Sequence, residues 1–227
     1  MQPVLNKIDF KIQEVGVNVA MDYIHEILTH SKDEVELLLD DRISRGEIVD
    51  KSQARKSIAG AAFSNSLVYL FLKNKEQGLV SQNISITPNT KDKRFQKMAT
   101  IYVGEETQKP DMDLIIFSTD DNNEIKKCMI ISLKTSLRER ASQTYKWKLL
   151  MEIAMGTNGI KDKYNIKYEP DTMPVVCFAT VNFYNEINNP QHRGMFKFFD
   201  NSFIGKPLNA GFINNMSTIV EYANTHL

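Results

Sequence analysis

KPDMDLIIFSTDDNNEIKKCMIISLKTSLRERASQ, residues 109–143, is two short apolar runs joined by a polar turn and followed by a charged stretch. Leu114, Ile115, Ile116 and Phe117 form a continuous apolar run of the kind found in a strand buried on both faces. Pro110 stands ahead of it, where a missing N–H does least harm to a sheet ladder. Cys128, Met129, Ile130, Ile131 and Leu133 make a second such run, and Thr119 to Asn123 supplies the turn, so the pair reads as an antiparallel hairpin. That hairpin brings the Pro110-Asp111 end and Lys134 to one edge of a sheet.

The residues at this edge carry chemistry. Strand side chains alternate between faces, so Asp111 and Asp113 share a face if the strand extends that far back. Like charges so placed repel, and a divalent cation beside them relieves the repulsion; Mg²⁺ is a hard ion that favours carboxylate and water oxygens. A neighbouring lysine can orient a water nucleophile and offset charge developing on phosphorus, while metal-bound water is acidified toward neutral pH. An acidic turn and a strand-end lysine are ordinary solvated features when they stand alone. Their pairing across a hairpin makes Asp111, Asp113 and Lys134 site candidates. Just beyond, Arg138, Glu139 and Arg140 suit the reading of G·C pairs: arginine bonds bidentately to guanine O6 and N7, and a carboxylate accepts from cytosine N4. The same three would also serve an ordinary helix start, with Glu139 favourable to the dipole.

Pro110-Asp111 followed after about twenty residues by Ser132-Leu133-Lys134 resembles the PD-(D/E)xK nuclease signature. The likeness is to the branch of type II restriction endonucleases that carries serine where most members have Asp or Glu. The run Lys134-Thr135-Ser136-Leu137-Arg138-Glu139-Arg140, continued by Gln143, is similar to the catalytic lysine and recognition helix of enzymes that cut CCGG-type and CC-(N)-GG-type sites. The resemblance implies an α/β restriction-endonuclease-like core, a mixed sheet flanked by helices. It also implies Mg²⁺ as cofactor, Asp111 or Asp113 as metal ligand, and the Leu133 carbonyl facing the metal. Lys134 would assist the water, and Arg138, Glu139, Arg140 and Gln143 would read bases. In that branch a glutamate on the helix after the lysine compensates for the serine. The positions where it is expected are Trp147 and Lys148, so the pattern fails there; Glu152, one turn beyond Lys148, is the candidate replacement. As an alternative, Glu152 is an ion-pair partner of Lys148.

The rest of the chain fits around this hairpin. Residues 1–50 read as a helical segment: Val17, Ala20, Met21, Ile24, Ile27 and Leu28 recur at helical spacing, then a second helix follows Ser31 as N-cap and ends at Gly46. Residues 51–227 form the expected catalytic domain, one compact unit with that segment. A long helix from Ser52 to Lys75 has its core stripe in Ala59, Phe63, Leu67, Leu70 and Phe71. Lys56-Ser57-x-x-Gly60-x-x-Phe63 resembles the helix ahead of the catalytic strands in the same branch, where a glutamate typically comes next; here the residue is Ser64. Leu79–Thr87 and Ala99–Val103 read as strands, Arg138–Met155 as a helix, Asn158–Asp171 as a loop and Val175–Val181 as a buried strand. Phe183–Lys206 is aromatic and asparagine-rich, which suits a packed peripheral helix, with base stacking as the alternative. Ile213–Ala223 reads as a final helix. Lys146, Lys148, His192 and Arg193 are candidate DNA contacts.

A chain of 227 residues, 42% apolar and 25% charged, is ordinary for a soluble globular protein. No apolar run approaches a membrane span, the N-terminus shows no signal-peptide pattern, and Cys128 and Cys177 fall in core strands; together these predict a cytoplasmic protein with reduced thiols, and the resemblance to restriction endonucleases implies a prokaryotic one. Net charge is zero, which counts mildly against nucleic-acid binding, although residues 126–148 are basic-rich. The four histidines lack zinc spacing and no phosphate-cradling glycine loop is present, so no organic cofactor is expected. The reading is a Mg²⁺-dependent endonuclease acting on double-stranded DNA at a short, palindromic, G·C-containing site, as a homodimer. Two other readings stay open: a DNA-binding module that has lost catalysis, and an interaction protein that does not bind nucleic acid.

Overall fold

A computed structural model describes residues 2–137, 141–157 and 159–227. The first three helices are α1 (Gln2–Val15), α2 (Ile24–His30) and α3 (Lys32–Ser44). Ser31 stands at the head of α3, but its hydroxyl donates back to the Ile27 carbonyl and caps nothing. Gly46, at φ 72°, takes the left-handed turn that ends this segment. Asp50 then caps the 26-residue α4 (Lys51–Glu76) by accepting from the Gln53 amide at 3.0 Å.

Strands β1 (Ile84–Thr87), β4 (Leu114–Thr119), β5 (Ile125–Lys134), β7 (Val175–Thr180), β8 (Asn201–Ile204) and β9 (Asn214–Asn215) form a six-stranded sheet in the order β1-β4-β5-β7-β8-β9. Its β1, β4 and β5 pair antiparallel, while β5, β7, β8 and β9 run parallel, so the sheet is mixed. A three-stranded sheet of β3 (Glu106–Gln108), β2 (Ile101–Val103) and β6 (Ile166–Lys167) stands apart from it. The remaining helices are α5 (Lys93–Ala99), α6 (Ala141–Met155), α7 (Gly159–Lys163), α8 (Pro190–Phe196) and α9 (Ile219–His226).

The β4–β5 hairpin has the expected antiparallel pairing, with Leu114 opposite Ile131 and Ile116 opposite Met129. Its turn closes on Asp120, whose side chain accepts from the amides of Asn122 and Glu124, and Asn123 takes the left-handed conformation. Alternation divides the buried strand residues between two layers. Ile116, Met129, Ile131, Cys177, Ala179 and Phe203 meet the N-terminal helices, α4 and α9. Val176, Phe178 and Ile204 meet α6 and α8 on the other face, and Ile115 and Cys128 meet Phe95 of α5. Residues Val4, Ile8, Met21 and Ile24 share a core with α4 and the sheet, so the helical segment is packed onto β4 and β5. Among the described residues no helix is long and apolar enough to cross a membrane.

Several expectations are corrected. The strand predicted from Leu79 begins only at Ile84, and Ala99 closes α5 instead of opening β2. Residues 158–171 contain α7 and β6, where a loop was predicted. The aromatic, asparagine-rich stretch is not all peripheral: Asn201–Ile204 is an inner strand of the large sheet. The last helix starts at Ile219, after a strand and a 3-10 turn at Met216–Thr218. In each case the element is too short for a hydrophobic period to register.

Candidate active site

Lys134 ends β5, and its Nζ lies 2.6 Å from Asp111 Oδ2 and 3.1 Å from Asp113 Oδ2. The hairpin explains the meeting. Its paired register ends at Leu114–Ile131, which leaves Asp111, Asp113 and Lys134 just beyond the last pair, at the same end of the two strands. The condition that β4 reach back through both aspartates is not met, since the strand begins at Leu114. One further bond ties this edge, from the Asp113 amide to the Ile131 carbonyl at 3.1 Å, one residue out of step with the Leu114–Ile131 pairing. Asp113 Oδ2 also accepts from the Leu133 amide at 2.7 Å, which fixes this carboxylate to the backbone of β5.

The environment is graded. The Lys134 side chain is 13% exposed, Asp113 34% and Asp111 56%, so the cluster opens to solvent on the Asp111 side. One ammonium faces two carboxylates, which leaves a formal negative charge for a cation or a polarised water to meet. Ser132 is buried beneath, and its Oγ has no hydrogen-bond partner among the described residues. The N–H and C=O of a strand residue project to the same side, so the Leu133 carbonyl faces the β4 edge along with its amide. Carboxylate, carbonyl and hydroxyl oxygens are the donor set that a hard divalent cation takes. Among the described residues no group of three His, Cys, Asp or Glu side chains is arranged to hold a metal.

Glu152 does not join this cluster. It pairs at 2.8 Å with Lys148, which also meets Asp200 at 3.0 Å, and Asp200 in turn accepts from the Val176 amide. Val176 lies four residues before Thr180, the partner of Lys134, so this triad sits about 13 Å down the strands from the Lys134 tip. The ion-pair alternative for Glu152 is therefore the one observed. Lys148 is likewise corrected as a DNA contact, because its side chain is 5% exposed and engaged by two acids. Burial works against its charge, but the hydrogen bonds to Glu152 and Asp200 outweigh it and hold the pKa above the ordinary lysine value.

Of the other expected residues, Arg138, Glu139 and Arg140 lie outside the described residues, and only the place of Gln143 in α6 is described. Lys146 is exposed on α6. On α8, Arg193 is exposed and its guanidinium lies 5.9 Å from the Phe212 ring centroid, while His192 Nδ1 is 2.9 Å from the Glu186 carbonyl. Glu186 was not anticipated. Its Oε2 accepts from the Leu137 amide at 2.7 Å, and the Phe183 amide donates to the Thr135 carbonyl at 3.1 Å. These two bonds hold the residues between Lys134 and Arg138. The loop bends through Asn182 and Asn185, both left-handed, and the asparagine-rich composition was the only sequence signal for it.

The sequence profile described as BsaWI restriction endonuclease type 2 matches residues 88–222, well over half of the chain, including β4, β5 and everything from α6 to Tyr222. A protein of Methanocaldococcus jannaschii that bears the name of a type II restriction enzyme, MjaVIP, is 31% identical over 159 residues, covering 64% of this chain and 69% of its own. With that coverage on both sides, the chain belongs to the BsaWI family of type II restriction endonucleases.

Proposed function

We propose that this protein is a PD-(D/E)xK-type, Mg²⁺-dependent endonuclease that hydrolyses both strands of DNA at a short, palindromic, G·C-containing site. The observation that carries the reading is the convergence of Asp111 and Asp113 on Lys134 across the β4–β5 hairpin. Asp111 and Asp113 would hold the cation, with the Leu133 carbonyl and the Ser132 hydroxyl as further oxygens. Mg²⁺ is commonly held by one or two carboxylates plus waters and substrate phosphates, so two aspartates suffice to begin such a site. When bound, the metal would lower the pKa of its water and offset charge on the phosphate. Lys134 Nζ would orient the attacking water and donate to the scissile phosphate. Asp113, anchored on the Leu133 amide, would keep its carboxylate in place.

Arg138, Glu139, Arg140 and Gln143 would read the G·C pairs, each good bidentate contact contributing roughly 1–3 kcal/mol of discrimination. Supporting this, the backbone that leads into them is held at Thr135 and Leu137. Two copies related by a two-fold axis would each read half of a palindrome. Incubating plasmid DNA with the protein and Mg²⁺ and sequencing the fragment ends tests target, cut position and overhang together. One specific finding favours a second reading, a module that binds DNA without cutting: a buried lysine, Lys148, stands where the resemblance calls for an acid. Retained binding with intact plasmid over a full Mg²⁺ titration would select that reading.

A further inference from the structure

We infer that the cleft between α2 and the end of β8 is a second DNA contact, in which Lys206 binds a backbone phosphate away from the cut. The inference rests on the reading that the Lys134 edge of the sheet faces DNA. The paired register aligns Lys134 of β5 with Thr180 of β7 and Ile204 of β8, so the three strands end along one edge. Two strand spacings separate the first tip from the third, about 10 Å. Duplex DNA rises about 3.4 Å per nucleotide along each strand, so this offset corresponds to about three base-pair steps. Lys206 follows Ile204 by two residues.

Its position is fixed. The Gly205 amide donates to the Thr180 carbonyl at 2.9 Å, and the Gly205 carbonyl accepts from the His25 amide at 2.8 Å. A Cβ on Gly205 would come within 3.2 Å of Ile24 Cβ and 3.4 Å of Val181 Cγ1, so the β8 end is pressed directly against α2. From this point Lys206 Nζ donates at 2.9 Å to Asn185 Oδ1, a neutral amide held on a left-handed residue. Among the described residues no carboxylate lies within ion-pair distance of Lys206. The acid in the cleft, Glu26, instead meets Lys11 at 3.0 Å. The ammonium is therefore aimed by the fold and left without an opposite charge.

The cleft, about 420 Å³, is lined by Tyr23, His25, Glu26, Thr29, His30 and Lys206, and has room for a sugar-phosphate unit. Burial first, and then the charge of Lys206, push the His25 pKa down, while Glu26 pulls it the other way. Lysine acts on phosphate as a point charge without base preference, so the contact would set affinity and register and leave sequence choice to other residues. It would also make α2 part of the DNA-binding surface.

The test is equilibrium binding of a labelled mixed-sequence duplex, without divalent metal, at several salt concentrations, by wild type, Lys206→Ala, Lys206→Arg and a control, Lys126→Ala, at the other end of β5. Loss of one phosphate contact lowers the slope of log K against log salt by about 0.9, so the advantage of wild type over Lys206→Ala shrinks about 3.5-fold from 50 to 200 mM salt. Lys206→Arg and Lys126→Ala keep the wild-type slope. A steep wild-type slope left unchanged in a folded Lys206→Ala protein overturns the inference. So does absence of salt-dependent binding by wild type, which also sinks the DNA-facing edge. A slope lost in Lys206→Ala together with no cleavage under Mg²⁺ leaves the phosphate contact standing and removes only the catalytic reading.

Discussion

The carboxylate of Glu186 accepts a 2.7 Å hydrogen bond from the amide of Leu137, forty-nine residues earlier in the chain. Leu137 lies between Lys134 and Arg138, so this bond couples the β7–α8 loop to the segment joining the proposed catalytic amine to the proposed base readers. Glu186→Ala removes an acceptor from a backbone amide and is expected to cost about 1–2 kcal/mol of stability. Glu186→Gln retains an acceptor and should recover most of it. If the bond also sets the approach to DNA, Glu186→Ala will lower the ratio of cutting at the best site to cutting at single-mismatch sites, measured on matched oligonucleotides. An unchanged ratio assigns Glu186 to folding alone.

Lys148 and its two acids are expected to act in stability and not in chemistry. Lys148→Met leaves Asp200 and Glu152 without their cation. Breaking a buried pair costs about 3–5 kcal/mol, and the partial exposure of both acids reduces this to about 2 kcal/mol, readable in urea denaturation. Because the folded pKa of Lys148 is raised, its contribution is complete below the ordinary lysine value of 10.5 and is lost as pH climbs through the higher folded value.

Glu152→Gln gives the complementary result. It should leave the Mg²⁺ concentration for half-maximal cleavage unchanged, because the carboxylate is occupied by Lys148 about 13 Å along the strands from Lys134. A tenfold rise in that concentration would return Glu152 to the metal site.

Both thiols are buried and unbridged. Burial raises the Cys128 pKa to about 12 and pushes Cys177 up as well. Neither should react with an aromatic disulfide reagent at pH 8 in the native protein, and both should react after unfolding. Rapid labelling of one thiol in native protein would mean that its strand opens locally.

The hairpin was legible because β4 and β5 are buried on both faces and declare themselves as unbroken apolar runs bounded by Pro110 and the Asp120 turn. That Asp111 and Lys134 reach the same edge followed from the antiparallel pairing of the two runs. What the sequence hid was short or distant. Strand β8 is four residues and β6 is two, below the length at which alternation can be recognised. Glu186 and Asp200 act on backbone amides of segments 24 to 49 residues away, and no local pattern marks an acid for such a role. Lys148 reads as a solvated helix lysine until the fold brings Asp200 against it. The helix position expected to carry an acid thus carries a cation that has been put to structural use.

The most direct measurement is single-turnover cleavage of plasmid DNA in Mg²⁺ by wild type, Asp111→Asn and Lys134→Ala, with metal-free DNA binding measured alongside. Wild type should give discrete fragments with uniform ends. Each variant should lose cleavage by about 10²-fold or more while binding DNA, and Asp111→Asn should bind more tightly because a negative charge has left the DNA-facing edge. Discrete fragments from Lys134→Ala at the wild-type rate would contradict the account.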